Sequence, residues 1–137
     1  MNDEEMKSML IEYMGRGFLD NITALFRQEP SLCRLIPHLL GQESLHVRLG
    51  TVALVEELIG SHREAVRAAV PGLVGLLKHE NPTIRGDAAS VLGTIGDISA
   101  VPGLEAGVGD EHAGVREAIR DALSEIAGKQ QGGELSS

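Results

Sequence analysis

The segment Ala69-Val70-Pro71-Gly72-Leu73 returns as Ala100-Val101-Pro102-Gly103-Leu104, displaced by 31 residues. In the same register Ile84-Arg85 meets Val115-Arg116, Leu92 meets Leu123 and Ile95 meets Ile126. Self-similarity at a fixed period of this size marks a chain that stacks one small unit on the next, because a single unit cannot bury its apolar faces alone. An earlier, looser copy is present. Ile36-Pro37 precedes Val70-Pro71 by 34 residues, whereas Val47-Arg48 precedes Ile84-Arg85 by 37, so that copy is three residues shorter between its Pro and its Arg.

Each unit reads as two helices joined by a tight turn. In the middle unit Ser61 and Glu64 fit the capping pattern S-x-x-E, which predicts a helix running to about His79. Pro71 lies inside that span, where its missing N–H predicts a kink. Asn81-Pro82 reads as the cap and first residue of the second helix, which places Ala88, Val91, Leu92 and Ile95 on one face. Gly96 predicts its end and Asp97 the cap of the following helix. In the last unit Leu104 and Val108 mark the first helix, and Val115, Ile119, Leu123 and Ile126 the second. Residues 1–30 stand outside the register but are helical in pattern. Met6, Met9, Leu10, Tyr13 and Met14 form one stripe, Gly15 and Gly17 break it, and Phe18, Ile22, Leu25 and Phe26 form another. These stripes fit either a cap packed on the first repeat or a face that binds a partner or a second copy. The organisation expected is a single domain over residues 1–128, with a helical cap at 1–30 and repeats at 31–60, 61–97 and 98–127. A flexible tail is expected at 129–137.

Composition narrows the chemistry. At 137 residues there is room for one domain. With no Trp, one Tyr and two Phe, the core must come from Leu, Ile, Val and Ala, which pack readily between helices. Twenty acids against 12 Lys and Arg give a net charge of −8, and by region the balance is −3 for 1–30, 0 for 31–67, −1 for 68–99 and −4 for 100–137. No stretch offers the positive groove that phosphate backbones require, so nucleic acid is excluded as a partner. Cys33 is alone among Leu32, Leu35 and Ile36, so it makes no internal disulfide and reads as a small buried apolar residue. An acidic N-terminus is unlike a signal peptide, and the apolar runs are far short of a membrane span of ~20 residues. The expected compartment is the reducing cytoplasm, with no membrane association.

Ala-Val-Pro-Gly-Leu, a turn with an acidic residue or Asn, Ile/Val-Arg, then Ala-Ala-x-x-Leu-Gly-x-Ile-Gly-Asp resembles a HEAT repeat. It is similar to the short bacterial and archaeal kind first described in phycobilisome lyases. Residues 70–97 match the pattern best, 101–127 match well and 36–60 match loosely. The resemblance implies an all-α, right-handed superhelix: a solenoid of about three helix pairs behind two N-terminal capping helices. First helices would line its convex side and second helices its concave side, with Gly86, Ala88, Ala89, Ser90 and Gly93 allowing close helix approach. Arg48, Arg85 and Arg116, each after a turn with an acid (Glu43, Glu80, Asp110), resemble the family's ladder of arginines tying neighbouring turns together.

The family spans scaffolds, lyases, a hydroxylase and DNA glycosylases, so its chemistry is decided by site residues. In the hydroxylase relatives His-Glu pairs follow the Ile/Val-Arg landmark, but here those places hold Leu49-Gly50, Gly86-Asp87 and Glu117-Ala118. His79-Glu80 sits instead before Asn81-Pro82, and no metal or other cofactor is expected. The glycosylases use a basic, aromatic groove that this chain lacks. The expected function is therefore a noncatalytic protein-interaction module, an adaptor, scaffold or assembly factor, and not an enzyme. The alternative is a lyase-like or chaperone subunit assisting attachment of a cofactor or chromophore to a partner protein. Two sets of residues are candidates for the partner surface. Glu56, Glu57, Asp87, Glu117, Asp121 and Glu125 fall on second helices, as a solvated face or as an acidic groove for a basic helix or loop. Met6, Met9, Met14 and Phe18 belong to the N-terminal stripes, where self-association as a homodimer would also occur.

Overall fold

The computed structural model describes the backbone of residues 1–136 and the side chains of residues 1–130. Among these residues the regular elements are all helical: α1 (Asp3–Gly15), α2 (Leu19–Gln28), α3 (Ile36–Leu40), α4 (Leu45–Ser61), α5 (Arg63–Val66), α6 (Val70–Leu76), α7 (Pro82–Ile95), α8 (Val101–Glu105) and α9 (Ala113–Ser136). Single 3-10 turns occupy Pro30–Leu35, Arg67–Ala69 and Ile98–Ala100. The fold class is all-α helical repeat, of the solenoid class. Backbone contacts gather the chain into two compact units, Met1–Ala69 and Val70–Ser137.

In the first unit α1 and α2 pack on α4, and α3 packs on α4 as its short antecedent helix. Asn2 caps α1 by accepting the Glu5 N–H at 2.8 Å, and Asp3, Glu4 and Glu5 sit where the helix dipole favours negative charge. Leu10, Met14, Ile22 and Phe26 turn inward and join Cys33, Ile36, Leu39, Leu54 and Leu58 in one buried core. Burial pushes the Cys33 thiol up to about 11, so it stays protonated and inert at neutral pH. Helix α4 runs on through Ser61 and ends at His62, so the expected capping box at Ser61 and Glu64 does not form. Ser61 instead shares a 2.8 Å hydrogen bond with the His62 ring. The long kinked helix expected up to His79 is replaced by α5, a 3-10 turn and α6. Pro71 is the second residue of α6, where a missing N–H has no intrahelical bond to break.

In the second unit α7 packs against α6 and, most extensively, against α9. Its boundaries are those the residues announce. The Asn81 side chain accepts the Thr83 N–H at 2.9 Å, and Pro82 opens the helix. Gly96 closes it at a φ of 74°, a left-handed conformation that an L side chain resists. Asp97 then caps the next turn, accepting the Ser99 N–H at 2.9 Å. Ala88, Val91, Leu92 and Ile95 form the buried face as expected. Among the described side chains of α9, Val115, Ile119, Ala122 and Ile126 are buried, while Leu123 is half-buried because α9 turns Ala122 toward α7. A Cβ on Gly93 would stand 2.9 Å from the Ala122 Cα, so this is a point of near backbone contact. Ala88 and Ala89 are buried as well, but Ser90 is exposed and a Cβ on Gly86 would meet nothing within 4 Å, so neither is a point of close approach. Val108 is 48% exposed, because α8 stops at Glu105 and the residues after it form a turn.

Charge-assisted hydrogen bonds hold the two ends of this helix pair. Arg85 donates from Nε to Asp110 Oδ2 at 2.9 Å and from Nη2 to Asp110 Oδ1 at 3.0 Å. Its Nη1 donates to the carbonyls of His79 at 2.9 Å and Glu80 at 3.2 Å, so Glu80 joins this rung through its backbone. Arg116 donates to the Asp110 carbonyl at 2.7 Å, which makes one turn the receptor of two arginines. Hydrogen bonding from Arg85, and then from the His112 N–H, holds the Asp110 carboxyl below its ordinary range, and the same contact raises Arg85. At the other end Lys129 donates to the carbonyls of Gly93 at 2.9 Å and Thr94 at 2.7 Å, capping α7 from outside. The tail expected from residue 129 thus begins inside α9, with Lys129 docked. The side chains of 131–137 lie outside the described residues.

Two expectations follow for stability. Gly93→Ala should lose ~1–3 kcal/mol through overpacking against the α9 backbone, despite alanine's better helix propensity. Gly86→Ala, with open space around it, should gain ~0.4–1 kcal/mol. Urea melts of both variants decide, and a Gly93→Ala protein as stable as wild type would mean that α7 and α9 lie farther apart. The second expectation concerns pH. Because Asp110 is more acidic folded than unfolded, its contribution is present above the ordinary carboxylate pKa of 3.8 and is lost as pH falls through the folded value. Asp110→Asn should therefore lower the Tm most at neutral pH, with the gap to wild type closing below about pH 4. A gap that stays constant down to pH 2 would show that the carboxylate charge contributes nothing.

Candidate functional site

Gly17, at a φ of 85°, turns the chain sharply between α1 and α2, and the Phe18 N–H returns to the Tyr13 carbonyl at 3.0 Å. This turn leaves two aromatic rings at the surface, in edge-to-face contact with centroids 5.8 Å apart. The Arg16 guanidinium lies over the Phe18 ring, 5.0 Å from its centroid, and also reaches Glu12 at 3.7 Å. Phe18 is 41% exposed, and Leu45 and Leu49 at the start of α4 are 60% and 59% exposed. Large apolar side chains are thus concentrated at one end of the first unit.

Two hollows adjoin these rings. A groove of about 480 Å³ runs between α1 and α2, with Met9, Tyr13 and Leu25 along it, Ile22 beneath, and Asp20 and Gln28 among its polar lining. A second hollow, about 380 Å³, is bounded by Arg16, Gly17 and Leu19 on one wall and by His46, Leu49 and Ala53 of α4 on the other. Of the N-terminal candidates, Phe18 is exposed, and Met6 and Met9 are half-buried with Met9 in the groove. Met14 is corrected: it is buried, because α1 lays it into the space that Gly50 leaves open on α4. It is core, and at 2% exposure it adds only a trace to the lining of the second hollow.

The acidic candidates do lie on second helices. Glu56 and Glu57 are exposed on α4, where Glu57 accepts from Arg27 of α2 at 3.4 Å. In the second unit Asp87 borders a shallow cleft of about 340 Å³ between α7 and α9, with Gly86, Ser90, Val115 and Ala118. Glu117, Asp121 and Glu125 are exposed on α9 but do not line that cleft. A further hollow of about 420 Å³ between α6 and α8 is lined by Val74, Leu77, Lys78, Gly103 and Asp110. The Asp110 carboxylate there is already held by Arg85. Among the described residues no three His, Cys, Asp or Glu side chains are grouped to hold a metal ion. No helix among them is long and apolar enough to cross a membrane.

Several surface residues were not among those singled out from the sequence. Leu45 and Leu49 stand one turn apart, off the buried stripe of Val47, Thr51, Leu54 and Leu58, so helical periodicity alone could have found them. Leu25, by contrast, was already part of the second N-terminal stripe, and it stays half-buried beside the buried pair Ile22 and Phe26. The groove wall of Asp20, Asn21 and Gln28 carries no such signal, because it arises only when α1 and α2 meet.

No curated protein matches this chain. The family of HEAT repeats matches residues 34–124, from the turn before α3 into α9, and leaves α1 and α2 outside the match. With its paired helices, capped turns and the Arg85 rung in place, the chain belongs to the HEAT-repeat family.

Proposed function

We propose that this protein is a noncatalytic interaction module, an adaptor, scaffold or assembly factor that works by binding another protein. HEAT repeats generally mediate protein–protein interaction. The observation that carries the reading is the apolar end of the first unit, where Phe18, Tyr13, Leu45 and Leu49 stand exposed beside two hollows. Aromatic and aliphatic side chains gathered at a surface are the usual anchors of a protein interface. A net charge of −8 disfavours nucleic acid as the partner. A cytoplasmic location is part of this proposal, and the free, buried Cys33 is compatible with it. The lyase-like or chaperone alternative requires a bound pigment or cofactor, which visible absorption of the protein purified from its host reads directly.

Phe18→Ser combined with Leu49→Ser should leave the melting temperature within a few degrees of wild type, since both side chains are exposed. The same protein should lose capture of its partner from host extract by roughly 30-fold, as truncating an interface anchor costs ~2 kcal/mol or more. Quantitative mass spectrometry of the captured proteins is the measurement. If the double variant retains every protein that wild type captures, this end of the molecule is not the interface.

A further inference from the structure

We infer that the groove between α1 and α2 receives an amphipathic helix of a partner protein, apolar on one face and carrying Lys or Arg beside it. The inference rests on the protein-interaction reading above and names the partner's chemistry. Helix α2 has 10 residues, so the groove beside it is ~15 Å long, room for about three helical turns. Met9, Tyr13 and Leu25 line it over buried Ile22 and offer an apolar surface, the kind that side chains at i, i+3 or i+4, and i+7 of an amphipathic helix fill. Met9 can re-pack around an entering side chain, because an unbranched thioether has several low-energy shapes.

Charge decides the occupant. Each Lys and Arg of residues 1–34 already has a counter-ion, Lys7 with Glu4 at 3.2 Å, Arg16 with Glu12 at 3.7 Å, Arg27 with Glu57 at 3.4 Å and Arg34 with Asp3 at 2.7 Å, and none of them lines the groove. Among the described residues Glu5, Asp20 and Glu29 have no ion pair, and Asp20 lines the groove itself. Residues 1–30 carry a net charge of −3 and the chain −8, so a second copy would bring like charges together. A basic helix would bring the missing ones, with steering and register set by Asp20. The groove lies outside residues 34–124, the part of the chain that the HEAT-repeat family matches.

The protein carries its own reporter. Tyr13 is its one tyrosine, there is no Trp, and that ring lines the groove. The probe is a capped peptide of about four helical turns, with Leu at i, i+3, i+4 and i+7, Lys at the other positions and no aromatic residue. Titration should change Tyr13 emission saturably, and a peptide with Glu in place of Lys should bind at least about tenfold more weakly. Ala24→Arg places a bulky cation at an exposed groove position, so it should weaken the Lys peptide about tenfold with the circular dichroism unchanged. Asp20→Lys should weaken it too. Equal affinity for the two peptides, no binding of either, or an Ala24→Arg protein that binds like wild type overturns the groove assignment. Binding lost instead in Glu117→Lys with Asp121→Lys also overturns it, but keeps the interaction reading and moves it to α9. A dimer in sedimentation that Ala24→Arg disperses overturns it in favour of a second copy. The capture experiment with the Phe18 and Leu49 variant tests the broader reading separately.

Discussion

In the second unit α7 and α9 come so close at Gly93 and Ala122 that a single added methyl has no room. Much else follows from that approach. Two helices meeting backbone to backbone leave no space for large side chains, which suits a chain with almost no aromatic residues. They also bring the end of one helix within reach of a lysine on the other, so Lys129 can satisfy the carbonyls at Gly93 and Thr94. At the opposite end the Arg85 fork grips Asp110 while its third nitrogen holds the preceding turn. The pair is thus fixed at one end by the Arg85 fork and at the other by the close Gly93–Ala122 approach together with Lys129. Van der Waals contact sets the separation of the helices, and the planar guanidinium sets their register.

The parts of this fold legible in the sequence are those governed by local chemistry. Asn81-Pro82, Gly96 and Asp97 act within one turn of themselves, and each does what its side chain and backbone preferences dictate. Arg85 was readable because its position recurs. Ser61 and Glu64 had the spacing of a helix start but lie where α4 ends, since the pattern is equally compatible with the tail of a helix whose apolar stripe continues through Leu58. Pro71 forbade an unbroken helix, but whether it would kink one or begin another depended on where the preceding turn ended. Met14 and Phe18 looked alike in the sequence. Their fates separated only when α1 crossed α4 over Gly50 and buried one of them.

The same division holds for the site. Residue type could say that the N-terminal helices carry apolar stripes that must be covered by core or by a partner. It could not say that part of that surface would close into core while Met9, Tyr13 and Leu25 would be left lining a groove. The groove exists because two short helices meet at a glycine turn, and that meeting brings the Asp20 carboxylate into its lining. The acids on α4, α7 and α9 do belong to second helices, and of them Asp87 borders the cleft between α7 and α9. A charged helix face and a charged pocket have the same sequence signature and differ in what packs beside them.

Cys33 sits at the centre of the first unit's core, shielded by its neighbours and held protonated far above neutral pH. It is the chain's single cysteine, so the rest of the molecular surface is chemically silent toward thiol reagents. Any cysteine introduced on an exposed face therefore becomes a unique handle for a maleimide dye, spin label or crosslinker without first removing a native thiol. Distances between labels placed across this protein can be measured in its natural background, one site at a time.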